Sequence, residues 1–198
     1  MLKEGYLPRR AEAYRHEKGH LVNMAGRGRY NQECHIENVI RYIWRERKEE
    51  SRAGELLVKG AWGAPQWMGV KGVVQSFAAV QQLYSRKGVF GRYIDHEVYE
   101  FGDGELARIR RKGADMGEIA RRMAENIYRE GFQVAYAVHS KTGKENVHVH
   151  FAVNTVNYRD QRKRRETKAE TRRREEAFQR IAGECQAGSR YKACARCF

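Results

Sequence analysis

The chain has 198 residues, of which 41% are hydrophobic and 32% charged, enough for one ordinary domain with a core. No apolar run approaches the roughly eighteen residues of a membrane-spanning helix, and the N-terminus lacks the apolar stretch of a secretory signal. We therefore expect a cytoplasmic protein without membrane insertion. Lysine and arginine number 39 against 25 acidic residues, a net charge of +14 that favours a polyanionic partner, most often nucleic acid.

Four cysteines are too few and too unevenly placed for a disulfide scaffold in a chain of this size. Cys194 and Cys197 have the C-x2-C spacing that forms half of a zinc pattern, and Cys185 lies close by. We expect reduced thiols without a function at these positions. A structural zinc site that takes further ligands from elsewhere is the alternative.

The first half of the chain predicts alternating strands and helices. Residues 1–19 are predicted to be a polar arm, and the short strand HLVNMAG follows. Apolar residues at helical spacing predict two helices, in HIENVIRYIWRERKEE and VKGVVQSFAAVQQLYSRKG. Each is followed by a segment in which branched and aromatic residues favour a strand, GELLVKGAWG and RYIDHEVYEF.

The second half predicts a helix, a hairpin and a tail. Asp115 and Glu118 have the spacing of a capping box before the helical pattern IARRMAENIYREG. FQVAYAVH and VHVHFAVNTV then alternate with period two, which predicts a β-hairpin. Residues 161–198 are predicted to form a charged helical or disordered tail. Residues 20–160 would thus form an α+β domain with an antiparallel central sheet flanked by helices.

The hairpin carries three histidines in the pattern H-x8-H-x-H. His148 and His150 are two apart on one strand and therefore share a face, and His139 ends the partner strand. Pairing that aligns the apolar rows brings the three imidazoles together, and small neighbours leave space around them: Ala135, Ala137 and Ala152. The alternative is a set of ordinary outward polar residues.

Three neutral imidazoles make a cation site with open positions for water or a phosphate oxygen. We expect Mn or Mg to be used in the cell, and Zn, Ni or Co to be able to occupy the site in a structure. A carboxylate that orients a ligand imidazole is expected as well. Asp95, Glu97 and Glu100 are all candidates, and the sequence does not choose between them.

The segment AVHSKTGKENVHVHFAVNTVNYRD resembles the third motif of the relaxase/mobilization nucleases, the conjugative tyrosine relaxases of the HUH endonuclease superfamily. The resemblance implies an HUH endonuclease-like fold and assigns His139, His148 and His150 as metal ligands. Asn154 matches the asparagine that follows the histidines in that motif. On the residues alone, Asn154 continues the histidine face, where it could contact a ligand or be a satisfied strand-end residue.

Two other segments extend the resemblance over residues 20–160. IENVIRYIWRERKEE and the following GELLVKGAWG are similar to the family's first motif, which places Tyr42 at the position of the nucleophile. Tyr6, Tyr14 and Tyr30 are the alternatives. RYIDHEVYEF resembles the central strand, with His96 fitting the pattern and Glu100 standing where serine is common. His96 could support the site or belong to the core.

The resemblance implies metal-dependent, site- and strand-specific nicking of single-stranded DNA at an origin of transfer. A 5′-phosphotyrosine intermediate would start conjugative transfer or mobilization of a plasmid or integrative element. The implied partners are accessory relaxosome proteins and a secretion coupling protein. A rolling-circle replication initiator and a non-catalytic, metal-stabilised single-stranded DNA-binding protein are the alternatives.

Residues near Tyr42 complete the set of candidates. Glu46, one helical turn after Tyr42, could accept the phenolic proton or be an ordinary solvated carboxylate. Positive charge mixed with a stackable ring suits a single strand of DNA. The candidates for these two kinds of contact are the ring of Tyr30 and the charges of five arginines: Arg27, Arg29, Arg41, Arg45 and Arg47.

Overall fold

The computed structural model describes residues 18–24, 30–46, 55–84, 91–140, 147–165 and 167–184. In this part of the chain the strands are β1 (His20–Asn23), β2 (Glu55–Trp62), β3 (Ile94–Glu100), β4 (Phe132–Ser140) and β5 (Val147–Asn157). The α-helices are α1 (Cys34–Ile43), α2 (Gly69–Tyr84), α3 (Asp103–Lys112), α4 (Met116–Arg129) and α5 (Lys168–Glu184). The strands form one antiparallel sheet in the order β1-β3-β5-β4-β2, so the α+β prediction is confirmed.

Helices cover both faces of the sheet, because both faces of its central strands are apolar. In β4, Val134, Tyr136 and Val138 face a core that α3, α4 and α5 complete. Ala135 and Ala137 face a second core, shared with α1 and α2. The alternation in this strand therefore separates large from small apolar residues. The prediction that the alanines leave open space is wrong, because α1 and α2 fill it and the alanines are fully buried.

Helix α4 begins and ends where the sequence predicts. The Asp115 side chain accepts a hydrogen bond from the Gly117 amide at 2.8 Å, which caps the first turn. The Glu118 carboxylate binds Arg121 at 2.7 Å, so we observe only the Asp115 half of the predicted capping box. Gly131 follows the helix at φ 98°, a conformation that glycine adopts without strain.

Helix α3 is not predicted by the apolar pattern of the sequence. Only a short apolar stripe, with Leu106 and Ile109 buried, marks its inner face, and the rest of DGELARIRRK is mostly charged. The glycines at its two ends are the signal that was available. Gly102 precedes the first turn, and Gly113 follows the last in a left-handed conformation at φ 60°.

Helix α5 packs against the core of the sheet through Phe178, Ile181 and Ala182. Its Arg174 is buried and forms an ion pair with the fully buried Glu97 of β3 at 3.2 Å. None of the helices in the described residues is long and apolar enough to cross a membrane. Most of the predicted arm over residues 1–19 lies outside the described residues, and so do three cysteines: Cys185, Cys194 and Cys197.

Candidate metal centre

The pairing of β4 with β5 gathers the three histidines of the hairpin on one face of the sheet. His139 lies directly opposite His148, and His150 lies opposite Ala137. Each imidazole offers one nitrogen, and these three atoms lie within 4.8 Å of one another. Because residues two apart on a strand share a face, the register alone accounts for the cluster. The predicted convergence of the imidazoles is observed.

A fourth imidazole supports the cluster from β3. His96 Nε2 lies 2.9 Å from His150 Nδ1, which is hydrogen-bonding distance, and both residues are buried. Burial lowers the pKa of His96 to about 4, and nearby His139 adds to the shift. Burial is also the main cause that lowers the pKa of His150. Both rings are therefore neutral at neutral pH, with a lone pair on one nitrogen each.

His139 is held by the end of α1. Its Nε2 donates a hydrogen bond to the Ile43 carbonyl oxygen at 2.7 Å. The Arg45 guanidinium lies at 3.3 Å from Nδ1 of the same ring. Since a carbonyl oxygen can only accept, the proton is on Nε2 and the lone pair is on Nδ1. Burial lowers the pKa of His139, against the smaller opposing effect of the hydrogen bond to Ile43.

The carboxylate expected to orient an imidazole is not Asp95 or Glu97. Both side chains lie on the opposite face of β3, where they bind Arg164 at 3.0 Å and 2.6 Å respectively. Glu100 is on the correct face, because it is the cross-strand partner of His148. The His96 imidazole and the Ile43 carbonyl thus hold His150 and His139 respectively, and a backbone carbonyl is among the groups that commonly orient ligand imidazoles.

Tyr42 lies beside the imidazole cluster. The apolar stripe of α1 packs on the alanine face of the sheet, which leaves Tyr42 at the edge of the helix with 39% of its surface exposed. Its ring meets His96 and His150 edge-on, at centroid distances of 5.7 Å and 5.8 Å. A phenol that is partly exposed and next to the imidazoles can be reached by a ligand bound at the same place.

Glu46 does not lie one helical turn from Tyr42. Helix α1 ends at Ile43, and the chain turns at Arg45, which has φ 54°. The Glu46 carboxylate is engaged by Arg41 at 3.6 Å and by Lys59 at 3.4 Å. The premise of helical spacing is therefore wrong for Glu46, and its predicted role as proton acceptor has no support from this geometry.

Asn154 continues the histidine face but lies fully buried under α2. Its amide donates to the Phe77 carbonyl and to Gln133, and its oxygen accepts from Gln81 at 2.7 Å. This is the satisfied residue that the sequence left open as the alternative to a ligand contact. Gln81 and Gln133 were missed, because an isolated glutamine carries no sequence signal for a buried network.

The residues predicted to bind DNA are only partly described. Arg41 extends from α1 and binds Glu37 at 2.7 Å, and Arg45 contacts His139. Tyr30 has φ 67° and lies edge-on to His35 at 5.7 Å. Of these candidates, Arg41 and Arg45 lie on or directly after the helix that carries Tyr42. The others fall outside the described residues: Arg27, Arg29 and Arg47.

The donor set fits a divalent transition ion. Imidazole nitrogens suit Mn, Fe, Co, Ni, Cu and Zn, and they bind only when neutral. Burial keeps His139 and His150 neutral, and the three nitrogens are close enough to share one ion. Three protein ligands leave positions for water or a phosphate oxygen, which makes this kind of centre suited to catalysis.

Comparison with known proteins identifies one family. Residues 42–186 match the family model described as relaxase, MobA/VirD2-like, nuclease domain. The matched region begins at Tyr42 and includes all three histidines of the cluster. None of the curated proteins matches the chain.

Proposed function

The chain belongs to the MobA/VirD2-like relaxases, and from this premise we propose that it nicks one DNA strand at an origin of transfer and keeps the cut end covalently bound. The proposal rests chiefly on one observation, the position of the Tyr42 ring edge-on to two of the clustered imidazoles. A nucleophile and a cation site at the same place are what phosphoryl transfer to a phenol requires.

The residues of the proposed site have separate roles. The Tyr42 oxygen attacks the phosphorus, the new bond is a 5′-phosphotyrosine, and the bond to the 3′-oxygen breaks. The phenolic proton passes to solvent, and the departing 3′-oxygen takes up a proton. His139, His148 and His150 would hold a divalent ion, which supplies a Lewis acid for the phosphate. Because the reaction replaces one phosphodiester bond with another, the 3′-hydroxyl can attack the phosphotyrosine and reseal the strand.

Neighbouring residues support this site in the proposal. His96 fixes the His150 ring through the hydrogen bond at 2.9 Å, and Glu100 lies across from His148. Arg41 lies on the helix that carries Tyr42 and Arg45 lies just after it, so their charges suit the backbone of an approaching strand. Arg27, Arg29, Tyr30 and Arg47 stay as predicted contacts to DNA.

The cellular setting is part of the same proposal. Such a reaction serves the conjugative transfer or mobilization of a plasmid or integrative element in the cytoplasm. Accessory relaxosome proteins and a secretion coupling protein are the expected partners, and Mn or Mg is the expected ion. The family match favours this function over a rolling-circle initiator.

A covalent adduct tests the proposal. We would incubate the protein and Mn²⁺ or Mg²⁺ with single-stranded oligonucleotides tiled over the DNA that flanks its gene. Each oligonucleotide would be labelled at either end. Because Tyr42 retains the 5′-phosphate, only the 3′-labelled fragment should migrate with the protein on a denaturing gel. Tyr42→Phe should abolish the adduct, and Tyr128→Phe, the matched control on α4 against the opposite face of the sheet, should retain it.

Two results would count against the proposal in different ways. An adduct that persists in Tyr42→Phe would remove Tyr42 from its role as nucleophile. Binding of DNA without an adduct, with every metal and every oligonucleotide, would instead favour the non-catalytic, metal-stabilised DNA-binding protein.

A further inference from the structure

Arg45 occupies an unusual position between α1 and the imidazole cluster. It follows Trp44 at the end of the helix, and its φ of 54° lies in the left-handed region that side chains rarely adopt. Trp44 is buried and donates its indole N–H to the Tyr136 carbonyl, which anchors the turn to β4. The turn thereby directs the Arg45 guanidinium to His139 Nδ1, at 3.3 Å.

The other nitrogen of His139 is committed elsewhere. Nε2 donates to the Ile43 carbonyl at 2.7 Å, so it carries the proton and has no lone pair for a ligand. Nδ1 is then the atom with which His139 can bind an ion. A single in-plane lone pair cannot accept a guanidinium hydrogen bond and bind a cation at once. An ion at the three histidines must therefore displace Arg45 from Nδ1.

We propose that Arg45 couples the binding of the metal ion to the binding of the DNA strand. In the absence of DNA the guanidinium occupies His139 Nδ1 and weakens metal binding. When a strand is present, a phosphate gives the guanidinium a better partner, because its planar fork matches the geometry of phosphate oxygens. This inference rests on the proposed function for the presence of a strand, but not on the chemistry of Tyr42.

The size of the effect follows from the hydrogen bond that is exchanged. A hydrogen bond to a charged group stabilises a protein by about 1.5–3 kcal/mol, which corresponds to roughly a tenfold to hundredfold change in affinity. Coupling between two binding events is reciprocal, so the metal should tighten DNA binding by the same factor as DNA tightens metal binding.

Calorimetric titration of Mn²⁺ tests this proposal. The protein would carry Tyr42→Phe, so that no strand is cut, and would be titrated with and without a single-stranded oligothymidylate. We expect the oligothymidylate to raise the Mn²⁺ affinity about tenfold. Adding Arg45→Met should raise the affinity about tenfold without DNA and remove most of the further gain with DNA. Arg111→Met, on α3 against the opposite face of the sheet, is the control for the lost charge and should change neither value.

A purely orienting role for Arg45 predicts the opposite sign, because losing the orienting contact would weaken Mn²⁺ binding in Arg45→Met. A lower or unchanged affinity in that variant would overturn the proposal. It would also be overturned if DNA did not alter the Mn²⁺ affinity of the Tyr42→Phe protein in which Arg45 is intact. Nitrogen chemical shifts of His139 give a readout independent of metal. They should show the proton on Nε2 in both proteins, and a proton on Nδ1 would contradict the assignment of the ligand atom.

Failure of the proposed function would look different. A missing DNA adduct in the protein with Tyr42 intact would argue against strand cleavage, while the coupling measured with Tyr42→Phe would be unaffected. Absence of DNA binding would argue against the proposed function and the coupling together. The two Mn²⁺ affinities without DNA would still decide whether Arg45 competes with the ion.

Discussion

His96 shows how far a single residue can be understood from the sequence. The aromatic and branched residues around it predict that it lies on a strand, and the family resemblance suggests that it belongs to the site. Its hydrogen bond to His150 at 2.9 Å depends on the register between β3 and β5, which the sequence does not specify. The Ile43 carbonyl that holds His139 could not have been predicted, because a backbone atom leaves no mark in the choice of residue.

Because His96 is buried, we predict that the folded protein loses stability at acidic pH. The pKa of His96 falls from 6.5 to about 4 in the folded protein. The unfolded chain therefore binds a proton that the folded chain does not, and the free energy of unfolding decreases as the pH drops through this window. We expect His96 to account for roughly 3 kcal/mol of this loss, from a conversion of about 1.4 kcal/mol per pKa unit.

Urea unfolding in the presence of a chelator, measured at several pH values, checks this prediction. His96→Gln should reduce the loss of stability between pH 6.5 and pH 4. The two proteins should show parallel pH dependence above pH 7, where the neutral imidazole is the main form in both states. An equally steep loss below pH 6.5 in the variant would show that other groups cause the acid sensitivity.

At the level of elements, periodicity predicted most helices and strands correctly, and two elements show its limits. Helix α3 has few apolar residues, so its pattern is weak although glycines mark both ends. Helix α5 reads as a charged segment, because the apolar residues that pack in the core are few and most of the other residues are arginine or glutamate. The burial of its Arg174 depends on Glu97 of β3, which is distant in the sequence.

We predict that the buried ion pairs of Glu97 on β3 stabilise the fold strongly. Glu97 is fully buried and binds Arg164 at 2.6 Å and Arg174 at 3.2 Å. Glu97→Gln leaves buried guanidinium charge without this partner and should cost about 3–5 kcal/mol in urea unfolding. Glu176→Gln, which removes an exposed i,i+4 pair on the same helix, is the control and should cost less than about 1 kcal/mol. Equal costs would refute the prediction.

At the level of the whole molecule, the sheet order explains why residues distant in sequence share one site. Strand β5 lies between β3 and β4, so His96, His139 and His150 come from three adjacent strands. Helix α1 then packs across the alanine face and brings Tyr42 to the imidazoles. The hairpin could be predicted from its alternation. The packing of α1 could not, because it depends on the small volume of alanines in other elements.

Anomalous diffraction from crystals grown with Mn²⁺ and recorded at the manganese edge is the most direct test of the central claim. We predict one strong peak bounded by the nitrogens of His139, His148 and His150, beside the Tyr42 ring. In crystals of His148→Ala combined with His150→Ala the peak should be absent while the fold is retained. Manganese bound elsewhere in the wild-type protein, with no peak among the three imidazoles, would contradict the claim that this cluster is a metal site.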